Sequence, residues 1–352
     1  GVHETLSIER STNRKELIAK HMLSRAAGGL STFYDDIAHV ITPRRRDTGV
    51  ALLAMARTTD VYLDSLHEGG GSTPLYNLEL LYSPTGTLGG DPEAPKLNFP
   101  YTHDRGRPQF EDLGSDKETY RWNFQMRNAR DRDDYRPLIA AAQAFSLRGQ
   151  QLEDAVAELI DVDQWMRTFA MLSLNGNDDV YTRLWEHNFQ TYVRPEDGKL
   201  VAVPWDLDRA FQLDANASSW GVVITAGVRN NVAMIIERPV YQSLFWGHVL
   251  DIANTTANAE FMEPWTTHYG RLARKSFRTE LNYIARRANV LLSRLPEQVP
   301  FEIVTNGGHD FSVSERSTTL QGRGWINVRN IRRADDAEPL DVKWLDGETW
   351  SI

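Results

Sequence analysis

Two aspartates stand at the end of an apolar run in the stretch LVAVPWDLDRAF, residues 200–211. Asp206 and Asp208 are two positions apart and follow a segment that should form a buried strand. Functional side chains are often presented by loops and strand ends on a rigid scaffold, so these carboxylates are candidates for metal binding or catalysis. Aspartate is also common in turns, and the pair alone leaves a structural role open.

The residues before this stretch predict a β-hairpin. The runs NFQTYV and KLVAVPW have strand character, and RPEDG between them contains turn-forming residues. A turn centred near Asp197 places Asn188 opposite Asp206, and opposed residues on one face have Cβ atoms about 4.5–5.5 Å apart. An amide oxygen and a carboxylate should therefore converge, with Asp208 just past the end of the strand.

Two further aspartates, Asp178 and Asp179, arrive at the same place from the loop before the hairpin. Carboxylates gathered at one site repel one another and resist desolvation unless a cation compensates them. Mg²⁺ and Mn²⁺ prefer oxygen ligands, and they commonly bridge a phosphorylated substrate to the protein. The cluster therefore predicts a divalent-metal site for phosphate chemistry.

The elements around the cluster are of both kinds, which predicts an α+β fold. Apolar spacing and capping residues favour helices over 15–27, 137–148, 151–160, 163–174, 239–253, 259–273 and 277–295. Asp163 is the expected N-cap of the helix over 163–174, and the run GVALLAMA suits either a strand or a short buried helix. Residues 69–118 are rich in Gly, Pro, Asp and Ser, and we expect them to form a long irregular loop.

The helical pattern stops after Pro300. Beyond it, four short strand-and-turn units follow one another: FEIVTNG, STTLQG, WINVRNI and LDVKWLDG. We therefore expect a main domain over residues 1–298 and a small β-rich module over residues 299–352, which the chain end at Ile352 could cut short.

Composition excludes several classes of function. The chain has 352 residues, 41% hydrophobic and 25% charged, so it can bury a sizeable core. Its net charge of −9 and its lack of long Lys/Arg runs argue against a nucleic-acid or anionic-membrane binder. With no cysteine, it has no disulfide framework and no thiol nucleophile, and oxygen or histidine must hold any metal. We expect neither a transmembrane segment nor a signal peptide in these residues.

Four segments of the chain carry a family resemblance: DQWMRTFAMLSLNGNDD, HNFQTYVRPEDGKL, VPWDLDRAF and ERPVYQSLFWGHVLD. In this order they resemble the spore-coat CotH family, whose domain is an atypical, secretory-type protein kinase. Looser similarity upstream extends the resemblance over residues 5–297.

The resemblance implies an atypical protein-kinase-like fold with a mostly helical C-terminal lobe. It also implies an incomplete or remodelled N-terminal lobe. The family's lysine-bearing strand would precede the first residue of this chain, and the family's glutamate would fall at Met55. A kinase uses this lysine to hold the α- and β-phosphates of ATP and this glutamate to position the lysine.

For the site, the resemblance implies ATP and either Mg²⁺ or Mn²⁺ as cofactors. Asp179 would be the catalytic base, with Asp178 as the adjacent alternative. Asn188 and Asp206 would be metal ligands, and Asp208 would hold a second metal or support the first.

Cationic side chains near these positions are candidates for contacting the phosphates: Lys15, Lys20, Arg183 and Arg209. Of these, we assign Arg183 and Arg209 to cofactor binding. For each of the four taken singly, an ordinary surface role is the favoured interpretation.

Three functions are compatible with these patterns. The first is a kinase domain that transfers the γ-phosphoryl group of ATP to a hydroxyl of a protein substrate. The second is a pseudokinase-like adhesion module that binds a surface protein partner, so enzymatic activity is left open. The third is a metal-dependent glycosyltransferase, although the chain lacks the alternating strand and helix units of a nucleotide-sugar fold. The resemblance implies a secreted or cell-surface location, and the sequence specifies no oligomeric state.

Overall fold

The computed structural model describes residues 6–9, 15–26, 30–31, 34–45, 49–78, 82–91, 94, 96–98, 110–121, 123–181, 188–217 and 235–352. The helices in this part of the chain are α1 (Lys15–Ala26), α2 (Asp60–Leu66), α3 (Glu118–Arg121), α4 (Arg136–Phe145), α5 (Gly149–Leu159), α6 (Val162–Asn175), α7 (Pro239–Thr255), α8 (Ala259–Ala273) and α9 (Arg278–Leu292). None of them is long and apolar enough to cross a membrane.

The strands form antiparallel sheets. Before the hairpin they are β1 (Leu6–Glu9), β2 (Asp36–Val40), β3 (Gly49–Ala56), β4 (Leu75–Leu78), β5 (Tyr82–Thr87), β6 (Lys96–Asn98) and β7 (Phe124–Met126). The hairpin and the C-terminal region contribute β8 (Phe189–Val193), β9 (Leu200–Pro204), β10 (Glu302–Ile303), β11 (Gln321–Arg323), β12 (Lys343–Trp344) and β13 (Thr349–Ser351). The sheet orders are β1-β3-β2, β7-β4-β8-β9, β5-β6 and β10-β11-β13-β12. The mixture of helices and separate antiparallel sheets confirms the α+β prediction.

The predicted helices are confirmed, with ends that differ by up to three residues. The N-cap of α6 is Asp161 rather than Asp163, because the Asp161 side chain accepts a hydrogen bond from the Gln164 backbone N–H at 3.1 Å. Asp163 lies in the first turn of the helix, where it accepts a hydrogen bond from His248. GVALLAMA is strand β3.

The core of the main domain is built around α6. Its Trp165 side chain is completely buried, and its ring meets Phe110, Phe145 and Phe189 at centroid distances of 5.3–6.1 Å. These rings come from different elements, so one helix fixes the positions of several others. The helix is therefore a rigid support for the residues that follow it.

The expectation of an irregular loop over residues 69–118 is wrong. This segment contains β4, which lies between β7 and β8 in its sheet and is buried along its whole length. Short strands such as LYNL give a weak sequence signal, and here pairing on both edges stabilises the strand.

The hairpin β8-β9 forms as predicted, but its register differs by one residue. Phe189 pairs with Pro204, and Val193 pairs with Leu200. The turn is closed by the Arg194 N–H, which donates to the Lys199 carbonyl at 2.9 Å. Its centre therefore lies slightly before the position expected from Asp197, and Asn188 and Asp206 both fall just beyond the last strand pair.

The C-terminal region packs against α7. Gly247 faces the 326–329 segment, where a Cβ atom would lie 2.5 Å from the Ile326 carbonyl oxygen. Beside it, buried His248 donates through Nε2 to Asp163 at 2.8 Å and accepts at Nδ1 from Arg167 at 2.9 Å. The Arg329 guanidinium lies 3.4 Å from the same Nδ1. The two predicted domains thus share an interface, and their boundary at residue 298 stays a prediction.

Gly247→Ala should loosen this interface. The added methyl group collides with backbone, and overpacking of this kind costs about 1–3 kcal/mol, more than the helix propensity that alanine gains. Thermal unfolding and limited proteolysis of residues 299–352 measure the effect. Asn254→Ala, at an exposed position of the same helix, is the control and should leave both unchanged. Equal melting temperatures for Gly247→Ala and the unmodified protein would contradict this account.

Candidate active site

The site begins where α6 ends. Gly176 caps the helix with φ +59°, and its N–H donates to the Leu172 carbonyl at 3.1 Å. A Cβ atom here would collide with the Tyr283 hydroxyl of α9. Both the left-handed conformation and the close approach require glycine. The chain is therefore turned sharply from the helix into the Asn/Asp loop that follows.

Asn177 joins this loop to the end of β9. Its buried side chain donates through Nδ2 to the Asp206 carbonyl at 3.2 Å, and its Oδ1 accepts from the Asp179 N–H at 2.9 Å. One amide thus fixes the backbone at two of the predicted site residues. Asn177 was not among the predicted site residues, although its position directly after a glycine that could cap the helix was a usable signal.

The open end of the hairpin contributes Asn188 and Asp206. They lie just outside the last strand pair, with φ of +55° and +51°. Non-glycine residues rarely adopt this conformation, and Asn and Asp tolerate it best. The Asn188 Nδ2 donates to the Asp179 carbonyl at 3.0 Å and approaches Asp179 Oδ2 at 3.4 Å. The structure therefore brings Asp179, Asn188 and Asp206 together.

Asp206 and Asp208 form the most strongly perturbed part of the cluster. Burial raises the pKa of Asp206 to about 7, and the charges of Asp208, Glu16 and Asp179 add to the effect. The same cluster raises the pKa of Asp208, chiefly through burial and then through Glu16 and Asp179. A hydrogen bond links the two carboxyl groups. Such shifts are typical of functional sites, since carboxylates are held together without enough positive charge.

Helix α1 reaches the same place from the other side. The Glu16 Oε1 accepts from the Leu207 N–H at 3.4 Å, and Lys20 pairs with Glu16 at 2.8 Å and with Asp35. Burial alone would lower the pKa of Lys20, but the charges of Glu16 and Asp35 raise it above its ordinary value. No sequence pattern predicted Glu16 or Asp35, because only the tertiary structure places Glu16 beside the aspartates and Asp35 beside Lys20.

Lys15 and Lys20 do not lie on the surface, so the surface interpretation is wrong for these two residues. Both are more than nine-tenths buried. Burial lowers the pKa of Lys15, and the charge of Asp208 partly opposes this shift. Lys15 is therefore an ammonium group within electrostatic reach of Asp208.

Asp178 and Asp179 point to different partners. Asp178 forms a two-pronged ion pair with Arg209, with Nε to Oδ1 at 2.7 Å and Nη2 to Oδ2 at 2.9 Å. Asp179 instead contacts Asn177 and Asn188. Arg209 is thus turned toward Asp178, and Arg183 lies outside the described residues.

The donor set is compatible with a divalent cation. Two carboxylates and an amide oxygen are hard oxygen ligands, and burial followed by repulsion from neighbouring carboxylates raises the pKa values of Asp206 and Asp208. Among the described residues no group of three or more His, Asp or Glu side chains is placed as a cage that could hold a metal ion. Mg²⁺ needs no such cage, since it keeps several waters and takes the rest of its ligands from one or two carboxylates and the substrate phosphates.

The model of the family described as "CotH kinase protein" matches residues 95–291, more than half of the chain. This chain belongs to the CotH kinase family. Comparison with curated proteins found no match.

The CotH match contains the aspartate loop, the hairpin and helices α4 to α9. It excludes α1, so Lys15, Glu16 and Lys20 reach the cluster from outside the matched segment. It also excludes residues 299–352. The family thus covers the predicted catalytic and metal-binding residues, while part of the electrostatic environment comes from elsewhere in the chain.

Asp206→Asn should make the protein more stable at neutral and alkaline pH. Because the pKa of Asp206 is raised in the folded state, this residue contributes to stability at pH values below its ordinary pKa of 3.8. The contribution is lost as the pH rises through about 7. Asparagine carries no charge to desolvate. At about pH 8 the variant should melt about 2 °C or more above the unmodified protein, and the difference should shrink toward about pH 4.

Asp197→Asn, at the other end of the hairpin, is the matched control. Arg194 holds the pKa of Asp197 down to about 2, so removing this carboxylate should not stabilise the protein at any pH. If Asp206→Asn were instead less stable than the unmodified protein at alkaline pH, Asp206 would be a structural turn residue.

Proposed function

We propose that this chain is a metal-dependent protein kinase that transfers the γ-phosphoryl group of ATP to a hydroxyl of a protein substrate. The observation that carries the proposal is the convergence of Asp179, Asn188 and Asp206 at the open end of one hairpin in a CotH-family domain. In kinases an aspartate base, an asparagine and a second aspartate perform the transfer together.

Each residue has a role in this scheme. Asp179 accepts the proton of the substrate hydroxyl while the hydroxyl oxygen bonds to the γ-phosphorus of ATP. The bond between the γ-phosphorus and the bridging oxygen of the β-phosphate breaks, and ADP leaves. Asn188 and Asp206 hold Mg²⁺ or Mn²⁺, and Asp208 holds a second ion or supports the first. When bound, the metal neutralises the phosphate charge.

The choice of Asp179 over Asp178 rests on their contacts. Asp179 is held by two asparagine side chains on the cluster side, whereas Asp178 is engaged with Arg209. A base must be within reach of the proton that it accepts, and an ion-paired carboxylate is a weaker base. We therefore assign Asp178 and Arg209 to supporting the loop.

The lobes of a kinase and the location of the protein belong to the same proposal. The helices α4 to α9 correspond to the C-terminal lobe, and the small sheet β1-β3-β2 with α1 forms a remodelled N-terminal lobe. A secreted or cell-surface location, such as a spore coat, is in keeping with the family.

A pseudokinase-like binding module is the second candidate. Lys20 is engaged by Glu16 and Asp35, and Arg209 is engaged by Asp178. Cations that already pair with carboxylates bind phosphates less strongly, which favours a protein that binds a surface partner without catalysis. A glycosyltransferase is not favoured, since the sheets of the described residues are antiparallel and do not form the parallel sheet of a nucleotide-sugar fold.

Calorimetric titration of ATP tests the site directly. We expect binding in the presence of Mg²⁺ or Mn²⁺, none with excess EDTA, and none in Asp206→Asn, because the phosphates need the metal and the metal needs this carboxylate. Asp341→Asn removes an exposed carboxylate of the C-terminal region and should bind ATP normally. Failure of the unmodified protein to bind ATP with either metal would overturn the kinase proposal in favour of the binding module.

Phosphoryl transfer from radiolabelled ATP to a casein-like acceptor separates the two aspartates. Asp179→Asn should lower the rate by about a hundredfold or more, as expected for loss of a general base. Asp178→Asn removes an ion pair with a half-exposed arginine and should retain most of the rate. The opposite order of the two variants would reassign the base to Asp178.

A further inference from the structure

A positively charged recess lies at the connection between α8 and α9. The connection is short: the Lys275 N–H donates to the Gly270 carbonyl at 3.0 Å, and Arg274 ends α8 with φ +51°. The recess has a volume of about 600 Å³. Its charged lining comprises four cations, Arg271, Arg274, Lys275 and Arg278, and one carboxylate, Glu263. We call this the cationic recess.

Most of this charge is not neutralised locally. Arg271, Arg274 and Arg278 are exposed, and none of them forms an ion pair with a carboxylate anywhere in the described part of the chain. Lys275 is the exception, since it lies 3.7 Å from Glu280. A protein with a net charge of −9 repels anions overall, so three arginines gathered at one recess create a local field opposite to that of the whole chain.

The cationic recess adjoins the candidate site. Lys15 lies within electrostatic reach of Asp208 in the candidate site, and also of Lys275 in the recess and of Glu280. Helix α1 is fixed against α8 by His21, which stacks on Trp265 at 4.1 Å and bonds to the Tyr269 hydroxyl at 2.7 Å.

Helix α9 connects the two places as well. It begins at Arg278 in the cationic recess, and Tyr283, about 7.5 Å further along the axis, covers Gly176 of the candidate site. The recess and the aspartate cluster are therefore mounted on the same rigid helices.

We propose that the cationic recess binds an acidic segment of the protein acceptor, so that the preferred substrate is a hydroxyl residue with aspartate or glutamate neighbours. This inference rests on the proposed function. Arginine pairs well with carboxylates through its planar fork of N–H donors, and several such contacts hold a flexible chain in one direction across the site.

The lining favours a polypeptide over a nucleic acid. Its one aromatic side chain, Phe277, is buried, so the recess offers no exposed ring on which a base could stack. Thr267, Ser276 and Asn282 add hydroxyl and amide groups that can bond to a peptide backbone.

Fluorescence anisotropy of a fluorescein-labelled polyglutamate peptide with a central serine tests the proposal on the full chain without ATP. We expect binding that weakens with salt. The charge-reversed variant Arg271→Glu/Arg274→Glu/Arg278→Glu should bind about tenfold or more weakly. The double variant Arg271→Gln/Arg278→Gln spares the left-handed Arg274, and it provides the same test if the triple variant does not fold.

The control reverses three exposed arginines elsewhere: Arg132→Glu/Arg316→Glu/Arg332→Glu. It has the same net charge as the triple variant and should bind the peptide like the unmodified protein. Equal peptide affinity in the recess variants and this control would overturn the proposal. The proposal would also be overturned if a single-stranded DNA oligonucleotide bound more tightly than the peptide and its binding were lost in the same recess variants.

Asp206→Asn separates this inference from the proposed function. The peptide should still bind to this variant, because the cationic recess is intact. If ATP binds to the unmodified protein but the peptide does not, the recess proposal fails alone. If the peptide binds but ATP does not, the kinase proposal fails, and the recess remains a binding surface for acidic protein.

Discussion

The arrangement of the site depends on one buried amide. Asn177 holds the backbone of Asp206 with its Nδ2 and the backbone of Asp179 with its Oδ1, so a loop after a helix and a residue after a strand are tied into one unit. Without this link, the carboxylates would move apart under their mutual repulsion. Buried amides stabilise a structure only when both their donor and their acceptor are used, and here both serve the site.

The cluster is costly for folding, and the rest of the fold offsets the cost. Glu16, Asp179, Asp206 and Asp208 gather around one turn, and burial raises the pKa values of the last two. Helix α1 supplies Lys15 and Lys20, but Lys20 is balanced by Glu16 and Asp35, so negative charge remains in excess. A divalent cation that carries bound phosphates would enter a site in which negative charge is already in excess. The site is in this sense preorganised for a cation.

The C-terminal region extends the same rigid framework. Asp163 of α6 and His248 of α7 bond to each other within reach of Arg329 from the C-terminal region, and Gly247 lets the 326–329 backbone approach α7 closely. Since α6 also ends at the candidate site, contacts of residues 299–352 bear on the helix that supports the aspartate loop. The C-terminal region is therefore part of the framework that supports the candidate site.

Local patterns in the sequence determined most of the helices, the hairpin and the α+β class, because helical periodicity and turn residues act over a few neighbouring positions. The same patterns, together with the family resemblance, led to Asp179, Asn188 and Asp206, whose convergence needs only one loop and one hairpin. The exact register of that hairpin escaped prediction, since it is set by which residue pair closes the turn.

Only the tertiary structure decided what surrounds these residues. Glu16 and Lys15 are distant in sequence from the aspartates and reach the cluster through the packing of α1, and the buried strand β4 is recognisable only from its two neighbours. The difference between Asp178 and Asp179 is likewise a matter of which side chain meets Arg209 and which meets Asn188. Long-range contacts of this kind depend on the whole fold, and for that reason no local pattern encodes them.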